Sequence, residues 1–244
     1  MSGNHPRLTG KIDPNKINRI ETPRISESIL QAFRDLGHCT CAVSDALDEL
    51  GIPGAIPGSM LKCIIPGSHL VGLALTLRNV ARQGDLNEIV RSKNNLMAEA
   101  ECHNLAQTGD VLVIQGVQSA SNMGGVGGRM GKRQGELGAI VDGVVRDVAD
   151  FKESEYPIWS KGVTPITGKW RGQSEEINGP VTICDVLVNP GDLVVADESG
   201  VCFVPRQFVD AVLLLAQKKV RLEEDLSQKI NQGWSIPDIV NPLP

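Results

Sequence analysis

Gly138-Ala139-Ile140-Val141-Asp142-Gly143-Val144-Val145-Arg146-Asp147 is the stretch whose reading decides the fold. An apolar strand, Ala139 to Val141, runs into Asp142-Gly143, and a fixed cation and a carboxylate follow just beyond it. An arginine can grip a carboxylate through two parallel hydrogen bonds. An aspartate is a hard oxygen ligand suited to Mg²⁺ or Mn²⁺. Side by side, Arg146 and Asp147 can hold a 2-oxo acid together with its metal. The plainer reading is a surface ion pair at a helix start.

Upstream of this strand lies Ser119-Ala-Ser-Asn-Met-Gly-Gly-Val-Gly-Gly-Arg129-Met-Gly-Lys-Arg133, rich in glycine and cations. Glycines let backbone N–H groups approach an anion. The spacing is not a dinucleotide fingerprint, because Met130 stands where the third glycine is needed. It is not a phosphate loop of the Gly-Lys-Ser/Thr kind either, because Arg133 follows Lys132. The glycines at 124, 125, 127, 128 and 131 would each cost roughly 1 kcal/mol in a helix interior, so the segment is expected to be loop-like. Arg129, Lys132 or Arg133 would then be available for a second anionic group.

Working outward, Gly109-Asp110 turns into a strand at Val111–Ile114, and further strands are expected at Lys62–Ile65, Leu70–Leu77, Pro157–Trp159, Val181–Val188, Leu193–Ala196 and Val201–Val204. Helical periodicity marks Ile25–Leu36, Thr40–Leu50, Leu86–Gln107 and Arg206–Asn231. Strand and helix signals mix through one segment of normal domain size, which makes this an α/β chain. Residues 1–24 read as an extended N-terminal arm, 25–205 as the domain, and 206–244 as a C-terminal helix and tail packing on the domain or on a neighbouring subunit.

The 244 residues carry 24 Lys+Arg against 29 Asp+Glu and only 3% aromatics. This gives no basic footprint and no stacking platform for nucleic acid. No apolar run is long enough to span a bilayer, and the N-terminus lacks the apolar core of a secretory signal, so a cytoplasmic location is expected. None of the six cysteines forms a Cys-x-x-Cys pair. Cys39 beside His38 reads as small apolar filler in a reducing compartment rather than a metal site. His103 on its expected helix carries no signal of its own. Asp45 suits a helix cap or a core hydrogen bond, and Asp142 suits a brace for the turn before Arg146.

Several segments together resemble the RraA-like proteins, which include the 4-hydroxy-4-methyl-2-oxoglutarate and 4-carboxy-4-hydroxy-2-oxoadipate aldolases. They are Val43-Ser-Asp-Ala-Leu47, Val71-Gly-Leu-Ala-Leu-Thr76, Gly109-Asp-Val-Leu-Val113, the 138–147 run, Gly162-Val-Thr-Pro165 and Gly191-Asp-Leu-Val-Val-Ala-Asp197. The resemblance runs from about Ile25 to Gly233. It implies a single-domain swivelling β/β/α fold with helical flanks, assembled as homotrimers or hexamers with active sites between subunits. It implies a lyase that cleaves a C–C bond of a 2-oxo acid through pyruvate enolate with Mg²⁺ or Mn²⁺, as an aldolase or an oxaloacetate decarboxylase. By position, Arg146 would bind the substrate carboxylate and stabilise enolate charge, and Asp147 would hold the metal. Gly124, Gly125, Val126 and Gly127 would form the carboxylate cradle, and Glu223 (or Glu224) would reach in from a neighbouring subunit.

The chain departs from the aldolase pattern at Gly125, where those enzymes carry an acidic residue separated by twenty residues from the Arg-Asp pair. Some RraA-like proteins are named for inhibiting ribonuclease E by protein–protein contact, and the loss of the acid at 125 suits that alternative. The retained Arg146-Asp147 suits the lyase. Methyltransferase activity, also attached to such sequences, lacks its glycine-rich S-adenosylmethionine motif here.

Overall fold

The computed structural model describes residues 7–240. The outermost parts of the expected arm and tail, 1–6 and 241–244, lie outside the described residues. In chain order the helices are α1 (Glu27–Arg34), α2 (Thr40–Glu49), α3 (Leu86–Ser92), α4 (Glu99–Leu105), α5 (Gly125–Gln134), α6 (Val148–Glu153), α7 (Val209–Asn231) and α8 (Ile236–Val240). The strands are β1 (Ala55–Pro57), β2 (Lys62–Cys63), β3 (Leu70–Ala81), β4 (Asp110–Gln115), β5 (Gly138–Val145), β6 (Ile158–Val163), β7 (Gly172–Ile177), β8 (Val181–Ile183), β9 (Val186–Val188), β10 (Leu193–Ala196) and β11 (Gly200–Val204).

Nine strands form one mixed sheet in the order β1-β11-β10-β3-β4-β5-β6-β2, with β7 pairing β3 off this path. Its centre, β3 to β6, is parallel, and its flanks are antiparallel. The central strands are apolar on both faces because both faces are covered. Val71 and Leu73 of β3 lie under α1, α2 and α7 with Phe33, Leu47 and Val212. Leu75 and Leu77 continue the same face under α4 and α6, with Cys102, Leu112, Ile114, Phe151 and Tyr156. The alternate residues Leu70 and Ala74, with Val111, Val113 and Ile140, pack beneath the small β8–β9 hairpin.

Three expectations about elements need correction. The expected helix 86–107 is two helices, because Lys93 adopts a left-handed conformation at the end of α3. The expected strand 181–188 is a hairpin, with Cys184 and Asp185 both at positive φ in a two-residue turn. Strand β7 was not expected; its Gln-Ser-Glu-Glu core carries little apolar signal.

The largest correction concerns residues 125–134, which are helical rather than loop-like. The glycines that argue against a helix are what let this one pack. A Cβ on Gly128 would stand 2.8 Å from the Phe151 ring, and one on Gly131 would stand 2.2 Å from Glu136 Oε2. Close approach to α6 and to the 136–156 core outweighs the propensity cost. Gly131→Ala is therefore expected to destabilise the fold by about 2 kcal/mol in urea denaturation, despite the better helix former. Both Glu136 oxygens are already bonded in the interior, so that side chain has nowhere cheap to move. An unchanged or higher stability would contradict this packing account.

From Leu8 onward the arm lies along the body. Leu8, Ile12, Ile17 and Ile20 pack against the core beneath α4, Ile17 bridges to Ile177, and Arg24 ion-pairs with buried Asp110.

Candidate active site

The sheet positions the site. At the carboxyl ends of β4 and β5, where open α/β sheets keep their ligands, the 116–124 loop leads into α5 and Arg146-Asp147 leads into α6. Asn122 builds that loop. Its amide nitrogen donates to Val117 O at 2.8 Å and to Val144 O at 3.2 Å, and its oxygen accepts from Val117 N at 2.8 Å. Ser121 bridges to Val144 and donates to Met123 O at 2.7 Å. The loop is thus a fixed platform against the end of β5. Neither residue was singled out from the sequence, where Ser and Asn next to glycines read only as generic loop chemistry.

Asp147 caps α6 in the left-handed region, φ 61° and ψ 46°, which aspartate tolerates better than most residues. That turn brings its Oδ2 to 3.2 Å from the Gly125 amide and 3.4 Å from Arg146 Nε. Gly124 makes this possible, since a Cβ there would lie 2.7 Å from Asp147 Oδ2 and 3.2 Å from Arg146 Nε. Arg146 is held through its own amide, which donates to Met123 O at 3.2 Å.

The pair opens onto a cavity of about 220 Å³ whose lining includes Glu99, Gly124, Val126, Gly127, Arg146 and Asp147, together with Lys169. The structure therefore brings together Arg146, Asp147 and the 124–127 segment. Val126 and Gly127 are the second and third residues of α5, and their amides have no protein acceptor among the described residues. Such first-turn N–H groups form an anion-binding end. Glu223 is not brought in: it sits on the exposed outer half of α7, outside the cavity of its own chain.

Other expectations resolve as follows. Arg129 is tied to Asp150 at 2.8 Å and Glu153 at 3.1 Å, and Lys132 to Ser154 O at 2.6 Å, so these cations brace α5 on α6 instead of reaching a ligand. Asp45 is exposed and faces Lys219 at 3.8 Å, not a core partner. Asp142 ion-pairs with Lys161 and accepts from the Cys184 amide at 2.7 Å, so it ties β5 to β6 and to the β8–β9 turn rather than bracing the turn before Arg146. Burial first, with the Asp197 charge adding to it, pushes the Cys39 thiol up to about 11, far from a metal-binding thiolate.

Two residues that carried no signal in the sequence matter here. Glu99 sits in the first turn of α4 and faces into the cavity. Burial raises its carboxyl above the ordinary value, and the charges of His103, Arg146 and Lys169 pull it partly back. His103, unremarkable in the sequence, is buried against Glu136 at 2.8 Å. Because the folded pKa of Glu99 is raised, the stability linked to it is present at acid pH and is lost as pH rises through that pKa. Glu99→Gln is expected to melt higher than the unaltered protein at pH 7, with the gap closing below about pH 4. Equal melting temperatures at both pH values would show that the carboxylate carries no such burden.

A metal must be accommodated by few protein donors. Among the described residues no group of three or more His, Cys, Asp or Glu could hold an ion, so a closed zinc-type cage is not built. Asp147 alone, with Oδ1 free of protein partners among the described residues, fits the habit of Mg²⁺. That ion takes one or two carboxylates and completes its shell with waters and substrate oxygens.

No helix among the described residues is long and apolar enough to cross a membrane. The family model described as RraA-like, Aldolase/RraA, matches residues 40–203. A protein of Halalkalibacterium halodurans with the provisional name 4-hydroxy-4-methyl-2-oxoglutarate aldolase is 31% identical over 196 residues, covering 80% of this chain and 85% of that protein. A crystal structure of an uncharacterised Pseudomonas syringae pv. tomato protein superposes with a TM-score of 0.74 at 28% identity, covering 89% of this chain and 98% of that one. Streptomyces coelicolor RraAS2, described as an unusual member of the RNase ES inhibitor RraA protein family, superposes with a TM-score of 0.69 at 27% identity, covering 83% and 96%.

Proposed function

The chain belongs to the RraA-like family, and from that premise we propose that it is a divalent-metal-dependent lyase that breaks a C–C bond of a 2-oxo acid, as an aldolase or an oxaloacetate decarboxylase. The observation that carries the reading is Arg146 and Asp147, facing the open amide end of α5 across one cavity. An anion-binding helix end, a bidentate cation and a hard carboxylate ligand are the three parts a 2-oxo acid with a divalent ion needs.

Mg²⁺ or Mn²⁺ held by Asp147 would supply Lewis-acid polarisation of the keto group. The protein does the rest. The Val126 and Gly127 amides orient the substrate carboxylate at the positive end of α5. Arg146 lines the same cavity, and a fixed cation beside the charge that grows on the keto oxygen as the bond breaks would favour the enolate over the ground state. Gly124 keeps the wall thin enough for both side chains to reach. In this reading Glu223 of a neighbouring copy completes the site in a homotrimer or hexamer. All six cysteines are free, which suits a cytoplasmic setting.

The test is release of pyruvate from oxaloacetate and from 4-hydroxy-2-oxo acids with Mg²⁺ or Mn²⁺. No turnover with either metal would reject the lyase. Likeness to the Streptomyces protein favours, as a second reading, a regulator acting by contact with a ribonuclease. Capture of ribonuclease E without metal binding would favour it.

A further inference from the structure

Glu99 and His103 stand four residues apart on α4, hence on one face of it. Glu99 faces the cavity. His103 is sealed behind it, only 1% exposed. Its Nδ1 lies 2.8 Å from Glu136 Oε1, and Glu136 Oε2 accepts from Tyr156 Oη at 2.6 Å. The Glu136 carboxylate at Nδ1 holds the ring in place and leaves Nε2 on its far side. That Nε2 is buried with no hydrogen-bond partner, an arrangement proteins rarely tolerate without a reason. It lies 3.2 Å from where a Cβ on Gly127 would stand, directly beneath the helix turn that lines the cavity.

From its own chain the cavity has two carboxylates, Glu99 and Asp147. Asp147 is engaged by the Gly125 amide and Arg146, whereas Glu99 has no hydrogen-bond partner among the described residues. Arg146 does not release protons. The geometry points to Glu99 as the proton carrier of this site and to His103, locked by Glu136 and Tyr156, as the positioning residue behind it. This rests on the lyase reading. In oxaloacetate decarboxylation the electrons of the C3–C4 bond stay on the enolate as CO₂ leaves. The Glu99 carboxyl then gives its proton to C3, the enolate pair forms the new C–H bond, and pyruvate remains. Glu99, now a carboxylate, takes a proton from solvent through the cavity mouth. In reverse, the carboxylate removes a methyl proton from pyruvate. The charged groups facing Glu99 are His103, Arg146 and Lys169; those facing His103 are Glu136 and Glu99.

The experiment is deuterium incorporation into the pyruvate methyl group in D₂O, followed by proton NMR with Mg²⁺, beside a Mn²⁺-binding titration of each variant. Glu99→Gln is expected to exchange about 100-fold more slowly with Mn²⁺ affinity unchanged. Glu99→Asp should keep a measurable part of the exchange, and decides the matter if the glutamine variant does not fold. His103→Gln should move the pH profile of exchange while leaving the KM for pyruvate in place. Exchange by Glu99→Gln within threefold of the unaltered protein overturns the inference alone, and an unmoved pH profile in His103→Gln removes the positioning role. An unaltered protein that neither exchanges nor releases pyruvate overturns the lyase reading and this inference with it.

Discussion

Arg146→Ala is expected to lower kcat/KM for pyruvate release by about 10³-fold, with melting temperature nearly unchanged. The magnitude corresponds to about 4 kcal/mol of lost transition-state stabilisation. It follows from what the side chain does in the fold and what it leaves undone. Its backbone is fixed by the bond to Met123 O, and its Nε is steadied beside Asp147. The remaining guanidinium donors make no ion pair or hydrogen bond among the described residues, and the side chain lines the cavity. Removing them costs the fold little, because the contact with Asp147 is half-exposed and weak. Removing them from a developing enolate charge costs much more. Arg146→Lys is expected to recover little, since a point charge cannot reproduce the planar fork. Steady-state kinetics with oxaloacetate decide the matter: turnover within threefold of the unaltered protein would take Arg146 out of the chemistry.

What could be read in the sequence and what could not divides along a physical line. The strands at 70–77, 111–114 and 139–141 were legible because they are buried on both faces and so spell out continuous apolar runs. The Arg146-Asp147 pair was legible because two oppositely charged residues at the end of such a run have few uses. Residues 125–134 were misread because helix propensity is a local quantity, while the need for glycine at 128 and 131 is set by Phe151, Glu136 and Tyr156, distant in sequence. Glu99 and His103 were invisible for the same reason. On an amphipathic helix a polar residue facing a cavity and one facing solvent look identical, and only the fold places Glu136 against the imidazole. The cations at 129 and 132 misled in the opposite direction: glycines beside them suggested an anion, but α6 supplies the partners.

Gly125→Asp, which would restore the acidic residue found in the aldolases, is expected to destabilise the protein by about 4 kcal/mol or to prevent folding. A Cβ at this position would stand 2.2 Å from the Asp150 Cβ and 2.3 Å from its Oδ2. The first of these belongs to the rigid base of a side chain on α6, so rotation cannot relieve the clash, and the α5–α6 contact must open. The space left by the glycine is thus filled by a carboxylate from the next helix, held by Arg129. The double variant Gly125→Asp/Asp150→Gly removes the obstructing Cβ and returns a carboxylate to the same region. It is expected to regain most of the lost stability, short of the roughly 1 kcal/mol that glycine costs within α6. A coupling energy of at least about 2 kcal/mol between the two positions in a double-mutant cycle is the predicted signature. Simple additivity would mean that the two side chains do not compete for one volume. Activity then reads what that volume is for. If a carboxylate there serves the reaction, Asp150→Ala loses rate and the double variant recovers it. If both variants turn over like the unaltered protein, the carboxylate at 150 only braces α5, and proton handling rests with the other acid of the cavity, Glu99.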